Sequence, residues 1–382
     1  MAQEAALTAL ATLHQAGHSA WLVGGCVRDL LLGITPKDFD IATSALPEQI
    51  FTLFPHAQLV GAHFGVVLLS AHLEAATYRS DLSYQDGRRP SGVVFHSDPS
   101  HDAARRDFTI NALYLDPLSG RSLDFHGGRH DLQSGLIRAI GDPAARFAED
   151  HLRLLRAIRF AARFGFTIEP ATLAALATHA PSIRRIAPER IHDEMRRILT
   201  GPRLDLAWQL LSSTGLWAAL VPEAPAGSTL ARLTPPASLP LAWAALLQDI
   251  PSPQNIFNRF RFSAAERRDT LFLLPNQSSL LAYSPLSRPH QKRLLRHPLF
   301  PNLLALHLAT HGPGPTATHW LTQQSRWSHS DLWPTPLFNG DSLIARGLPP
   351  GPHFRQILAR LEDLQLTNPP LTLADALTIL KL

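Results

Sequence analysis

The reading of this chain turns on Trp21-Leu-Val-Gly-Gly-Cys-Val-Arg-Asp-Leu30, followed closely by Lys37-Asp-Phe-Asp-Ile41. Apolar residues ahead of Gly24-Gly25 predict a strand at 20–23, and the pattern behind them predicts a helix at 27–32. Paired glycines at such a junction leave bare N–H groups beside a positive helix end, which suits phosphate. Arg28, in the first turn of the helix, reaches the same anion. A plain strand-to-helix turn with a surface arginine would look alike. No Walker lysine follows the glycines and GxGxxG is absent, so P-loop and dinucleotide-binding readings fail.

The second segment predicts a strand at 39–41. Residues i and i+2 of a strand share a face, so Asp38 and Asp40 project together. Two such carboxylates suit one or two Mg²⁺ ions, hard cations that take oxygen ligands and triphosphates. A metal pair ~3.5–4 Å apart lowers the pKa of an attacking 3′-hydroxyl and stabilises a leaving pyrophosphate. Exposed acidic alternation produces the same Asp-x-Asp, so the pair needs its neighbours. One neighbour is Arg105-Arg-Asp-Phe-Thr-Ile-Asn111, beside a strand predicted at 112–115. Its arginines and asparagine suit a sugar and a triphosphate, or else form a charged helix end.

Working outward, further strands are predicted at 66–69 and 73–77, with helices at 4–15 and 47–54. From residue 144 onward a 3.6-residue period takes over, clearest at 149–164 and 188–199. The latter has proline at its start and Gly201-Pro202 just past its end. The Pro/Ala/Ser-rich stretch 222–240 reads as a joint, and 284–289, 311–315 and 334–353 as further breaks. The architecture expected is an α/β unit followed by a long helical arm.

Bulk properties bound the rest. With 382 residues, 45% apolar and 17% charged, the chain exceeds one ordinary core and is globular in composition. Cys26 is the single cysteine, which excludes intrachain disulfides and cysteine-based zinc sites and fits a reducing cytoplasm. The first 17 residues read as an amphipathic helix rather than a signal peptide. No apolar run approaches the ~20 residues that span a bilayer, so a soluble cytoplasmic protein with no membrane partner is expected. The net charge of +4 decides little, although arginine far outnumbers Lys37, Lys292 and Lys381. Arginine's planar fork suits phosphate, but arginine usage also follows genomic base composition.

Together these segments resemble the class II tRNA nucleotidyltransferase and poly(A) polymerase family. The matching pieces, in order, are Gly24-Gly-Cys-Val-Arg-Asp29, Asp38-Phe-Asp40, Gly61-Ala-His-Phe-Gly65, Tyr84-Gln-Asp-Gly-Arg-Arg-Pro90 and Arg105 to Asn111. Arg146-Phe-Ala-Glu-Asp-His-Leu-Arg-Leu-Leu-Arg156 and Glu189-Arg-Ile-His-Asp-Glu-Met195 follow, so the resemblance covers about 19 to 200. It implies an α+β nucleotidyltransferase head with a small mixed sheet, followed by an all-α neck, body and tail. The expected bounds are 1–140, 141–201, 202–265 and 266–382. It implies Mg²⁺ on Asp38 and Asp40, with Glu74 as a candidate third carboxylate. Gly24, Gly25 and Arg28 would hold the triphosphate, and Arg106, Asp107 and Asn111 the sugar and phosphates. The reaction implied is addition of CCA to the 3′ end of tRNA from CTP and ATP, without a template.

Base choice can be argued from chemistry. Asp150 and Arg153 match the family's nucleotide-selecting motif and, within a helix at 149–164, would share a face. An aspartate accepts hydrogen bonds and an arginine donates them. Cytosine and adenine each offer an amine beside a ring-nitrogen acceptor, which this pair satisfies. Guanine and uracil present a carbonyl beside an N–H, so both contacts are mismatched, at roughly 1–3 kcal/mol each. Arg156 continues the same face and completes the base-selecting set. An i,i+3 surface ion pair is the bland alternative.

The His-Asp pairs at 101–102, 130–131 and 192–193 lie within or beside these motifs, so an appended HD-type phosphohydrolase is not expected. The tryptophans of the second half are expected in helix packing. The loop at 84–90 looks full length, and since a shortened loop accompanies CC-only enzymes in the family it resembles, the resemblance implies that CC-only addition is not expected. An A-adding enzyme of a split system, a poly(A) polymerase and an inactive RNA-binding homologue remain as rivals. Oligomeric state stays open.

Overall fold

The computed structural model describes residues 2–59, 65–82, 91–224, 227–282, 286–367 and 372–380. The sequence motif at 61–64 and the loop at 84–90 lie outside the described residues. By internal packing the chain forms two compact units, one of residues 1–226 with 254–261 and one of 227–253 with 262–382.

The first unit opens with helix α1 (Ala2–Gln15), which buries Ala6, Ala9, Leu10 and Leu13. A seven-stranded sheet follows, from β1 (Ala20–Val23), β2 (Phe39–Thr43), β3 (Gln58–Leu59), β4 (Val66–Ser70), β5 (Leu73–Thr77), β8 (Leu113–Asp116) and β9 (Arg121–Asp124). A small ribbon pairs β6 (Arg79–Asp81) with β7 (Val93–Phe95). The sheet order is β3-β4-β5-β2-β1-β8-β9, and only β2 and β5 run parallel, so it is mixed as expected. All four residues of β1 are buried, as a central strand requires. β9 went unread in the sequence because it is a largely exposed edge, Arg-Ser-Leu-Asp, with no apolar alternation. In register, Asp40 lies opposite Val23 on one side and Glu74 on the other. The metal-motif aspartate therefore sits mid-sheet, beside the end of β1 where the chain turns into α2 (Gly25–Leu31).

Helices α3 (Pro47–Leu53), α4 (Pro99–Ala104) and α5 (Gly128–Gln133) complete the head-like part. The next stretch departs from expectation. Residues 149–164 do not form one helix: α6 (Pro143–Glu149) ends at Asp150, whose φ of −141° and ψ of 104° are extended, and α7 (Arg153–Phe164) begins three residues later. The Asp150 carboxylate accepts from the Leu152 N–H and from Arg190, which fixes the break. No proline or glycine marks it.

The amphipathic α7 buries Leu154, Leu155, Ile158 and Ala161 and packs on α9 (Pro188–Leu199) and α10 (Leu204–Ser213). A short parallel pair joins β10 (Leu136–Ile137), ahead of α6, to β11 (Thr167–Ile168), which follows α7 and leads into α8 (Pro170–His179). α11 (Leu216–Leu220) and α13 (Gln254–Arg259) close this unit, Arg259 pairing with Glu223 at 2.7 Å.

The second unit is helical. α12 (Leu239–Leu247) is apolar all round, with Leu241 to Leu247 buried, and packs on α14 (Ala264–Leu281) and α15 (Phe300–His311). Ser263 and Glu266 cap α14 reciprocally. Trp243 and Trp320 are fully buried, as expected of packing tryptophans, whereas Trp333 is exposed and stacks on His329. Phe338, Leu343, Leu361 and Ala376 form a smaller core towards the end. Among the described residues no helix is long and apolar enough to cross a membrane.

Candidate active site

Ten of the residues singled out in the sequence converge on one cleft of about 360 Å³: Gly24, Gly25, Arg28, Asp40, Arg106, Asp107, Asn111, Asp150, Arg153 and Arg156. Arg105, Leu152 and Arg190 join them, so six arginines face three aspartates and the cleft favours an anion. The geometry begins at Gly24, whose φ of 73° and ψ of −133° turn β1 into α2. A Cβ there would lie 3.0 Å from Nη1 of Arg106 and 3.6 Å from the Asp40 carboxylate. Glycine thus lets the turn approach both groups.

Arg28 is not the surface arginine of a plain strand-to-helix turn. It is 3% exposed, and its Nε and Nη2 donate to Asp29 at 2.9 and 2.6 Å, while Nη1 donates to Asn111 Oδ1. Its guanidinium also stands 5.0 and 4.8 Å from the rings of Phe160 and Phe164. Burial pulls its pKa down, and Asp29 opposes that.

Arg105 and Arg106 are gripped by one carboxylate that the sequence reading passed over as half of a His-Asp pair. Asp102, 1% exposed in its side chain, receives Nε and Nη2 of Arg105 on one oxygen and the same atoms of Arg106 on the other, with closest approaches of 2.5 and 2.8 Å. The Tyr114 hydroxyl donates a further bond at 2.7 Å. Burial alone would raise the Asp102 pKa, but the two arginines and the hydroxyl hold it well below the usual carboxylate range. The spacing of i,i+3 and i,i+4 on α4 was a legible signal for this clamp. Arg106 is left with Nη1 turned toward the Asn111 carbonyl and Gly24.

Asp107 is held in the same way. Its side chain accepts from Arg156 at 2.5 and 2.8 Å and from Asn111 Nδ2 at 2.9 Å. These partners outweigh the rise that burial would cause and keep the carboxyl ionised. Asn111 bridges to Arg28 through its other atom, so the two glycine-flanking motifs share one hydrogen-bonded frame.

Asp150 and Arg153 both line the cleft, though not as an i,i+3 pair on a helix. Arg190 of α9 donates to Asp150 at 2.9 Å, and Arg153 is held by Glu149, the Arg146 carbonyl and, at 3.2 Å, the Arg105 carbonyl. Two donor positions of Arg153, Nε–H and one on Nη2, have no partner among the described residues. Arg190 lay inside a quoted motif, and only the fold reveals its partner.

Asp40 differs from its neighbours. Its carboxylate has no hydrogen-bond or ion-pair partner among the described residues. Burial raises its pKa, Arg106 opposes this, and Glu74 and Asp38 add to the rise. Asp38 lies just ahead of β2, is 71% exposed in its side chain and contacts His72 at 2.8 Å. Glu74 is exposed on β5 and does not line the cleft. Among the described residues no three His, Cys, Asp or Glu side chains stand together as a metal-holding group. Two carboxylates fit Mg²⁺ nonetheless, since that ion is commonly held by one or two carboxylates and completed by substrate phosphates and water. An unpartnered, partly desolvated Asp40 is what such a cation would satisfy.

Comparisons with known proteins agree with this geometry. Residues 20–138 match the family described as the poly A polymerase head domain, and 165–226 the one described as probable RNA and SrmB-binding site of polymerase A. A CCA-adding enzyme of Levilactobacillus brevis is 45% identical over 217 residues, 56% of this chain and 54% of that protein. One from Geobacillus stearothermophilus is 42% identical over 55% of this chain and 53% of its own length. The chain matches about half the length of these curated relatives. A crystal structure of a Bacillus stearothermophilus CCA-adding enzyme in complex with CTP superposes with a TM-score of 0.80 at 27% identity, covering 98% of this chain and 97% of that one. A Thermotoga maritima enzyme complexed with tRNA shares the fold at a TM-score of 0.73 and 21% identity, over 98% and 94%. Over residues 20–138 the chain is similar to the poly A polymerase head domain, and over 165–226 to the RNA-binding region that accompanies it.

Proposed function

We propose that this protein adds the 3′-terminal CCA of tRNA from CTP and ATP, without a template and with release of pyrophosphate. The observation that carries the reading is the single cleft that joins an unpartnered Asp40, an arginine-rich polyanion seat and the Asp150/Arg153 pair. In the transfer, a bond forms between the RNA 3′-oxygen and the α-phosphorus while the bond to the bridging oxygen breaks. The hydroxyl loses its proton and pyrophosphate departs. Magnesium ions, when bound to Asp38 and Asp40, supply activation of the hydroxyl and neutralisation of the developing charge.

The chain's own groups do the rest. Gly24 and Gly25 offer backbone N–H groups at the start of α2, and Arg28 and Arg106 stand ready with their side chains already fixed. Asp107 and Asn111 shape the ribose end, and Arg156, bound to Asp107, joins it to the base-selecting pair. Asp150 accepts from the exocyclic amine of C or A, and the free donor edge of Arg153 meets the neighbouring ring nitrogen. Head, neck, body and tail correspond in this reading to 1–140, 141–201, 202–265 and 266–382, with tRNA held through shape and backbone by the later helices. The setting is the cytoplasm.

The test is incorporation by the purified protein into tRNA transcripts that lack CCA or end in CC, with CTP and ATP supplied singly and together with Mg²⁺. Addition of C, C and A and nothing more is expected. A gain of one A by the CC-ended transcript only would make this the A-adding half of a split system. Long A tails on any RNA would make it a poly(A) polymerase, and no incorporation an RNA-binding homologue.

A further inference from the structure

Away from the cleft, the first unit holds a separate cavity of about 330 Å³, walled by the start of α9, the end of α11 and the segment 254–261. Ile186, Ile191, Leu220 and Phe260 line it and are themselves buried, which gives it firm apolar sides. Small-molecule sites share this character: ~300–1,000 Å³, mostly apolar, with a few placed polar groups.

Two guanidiniums supply the polar groups here. Arg259 is satisfied within the protein, since Nη1 and Nη2 donate to the two oxygens of Glu223 at 3.1 and 2.7 Å and Nη1 also to the Leu220 carbonyl. Arg184 is not. Its Nε donates to the Ala219 carbonyl at 2.7 Å, which fixes the plane of the group, while Nη1 and Nη2 have no partner among the described residues. Among the described residues no carboxylate lines the cavity, so Arg184 is its uncompensated charge. A cation would be repelled, and a polyanion would meet one free guanidinium between apolar walls. A monoanion with an apolar body suits both features, and the parallel N–H donors of Nη1 and Nη2 match a carboxylate.

The first turn of α9 belongs to both sites. Pro188 and Ile191 line the cavity, whereas Arg190 lines the cleft and donates to Asp150 at 2.9 Å. Asp150 also accepts from the Leu152 N–H at 3.0 Å.

We propose that the cavity binds a small apolar carboxylate, its acid group on Arg184 and its body against Ile186, Ile191, Leu220 and Phe260, and that α9 transmits its presence to Asp150. The bearing on base choice rests on the transfer reading above; the site and its coupling do not.

Octanoate, added to the full chain, is the probe. Calorimetry gives its Kd for the wild type, Arg184→Gln and Arg184→Lys, with 1-octanol as the uncharged counterpart. Arg184 is exposed, so both variants are expected to fold, which thermal melting followed by circular dichroism checks. Expected is a Kd raised about tenfold or more in Arg184→Gln, with Arg184→Lys in between and 1-octanol comparably weak on the wild type. Hydrogen exchange in a peptide spanning 150–154, which contains the Leu152 amide, is expected to slow about threefold with octanoate in the wild type and not in Arg184→Gln. No binding by the wild type up to about 10 mM octanoate, or equal binding by Arg184→Gln, would overturn the site. Binding of a peptide ending in leucine, where octanoate is not held, would reassign the cavity to a protein tail. Octanoate bound with exchange at 150–154 unchanged would overturn the coupling. A chain that binds octanoate with the expected exchange and extends no RNA would refute the transfer reading and leave this proposal standing.

Discussion

Asp40 and Asp102 are both acidic and both withdrawn from solvent, yet they have opposite work. Among the described residues the Asp40 carboxylate has no hydrogen-bond or ion-pair partner and is available to a cation, whereas Asp102 is saturated by two arginines and a tyrosine. Asp40→Ala is expected to abolish nucleotide transfer, assayed by incorporation, while gel-shift affinity for tRNA stays nearly intact. Asp102→Ala strands two buried arginines, and denaturant unfolding is expected to show a loss of about 3–5 kcal/mol. Folding lowers the pKa of Asp102 and Asp107 below the ordinary 3.8, so the unfolded chain binds more protons in acid. The stability these two groups contribute is whole above that value and is lost as pH falls through the lowered ones. An acid titration followed by circular dichroism should be shallower below pH 3.8 in Asp102→Asn than in the wild type. The sequence made the residue types plain, since Asp-x-Asp and Arg-Arg-Asp stand out by spacing. What it hid was the exposure of each: nothing local shows that Arg28 is buried, because the rings of Phe160 and Phe164 lie 132 and 136 residues downstream and only the fold brings them near.

At the level of elements, the break between α6 and α7 matters most. Local propensity favours continuing through 149–164, and tertiary bonds from Arg190 override it. The break lets Asp150 leave the helical path and face the cleft with Arg153. Arg190→Ala and Asp150→Ala are accordingly both expected to loosen base choice. Single-turnover incorporation on a CC-ended transcript should show GTP and UTP used ten times or more as readily relative to ATP, on the order of 1.4 kcal/mol. Retained exclusion of GTP and UTP in both variants would sink the selection model. Strands were legible where they alternate or run apolar, as β1 and β5 do, to the residue. β9 and the ribbon β6–β7 were not, because half-exposed or short edges carry little pattern.

For the whole molecule, composition and breaks foretold a helical second half, and the stretch 222–240 contains the passage from the first unit to the second at 226–227. Fully buried tryptophans anchor that half. Trp243→Ala is expected to cost about 3–5 kcal/mol, read from chemical denaturation. The passage is not a single crossing, however. The chain enters the second unit at 227, returns to the first for 254–261, and leaves again at 262. Ribosomal synthesis proceeds from one end, so the returning segment, with Arg259 on Glu223 and on the Leu220 carbonyl, emerges after the apolar α12. The unit that houses the cleft therefore waits for α12 to be made before it can close, and a nascent chain stalled with 253 residues outside the exit tunnel should be protease-sensitive around 216–224, whereas one with 262 outside should not. A fold whose cleft-bearing part is written first is in this way completed late.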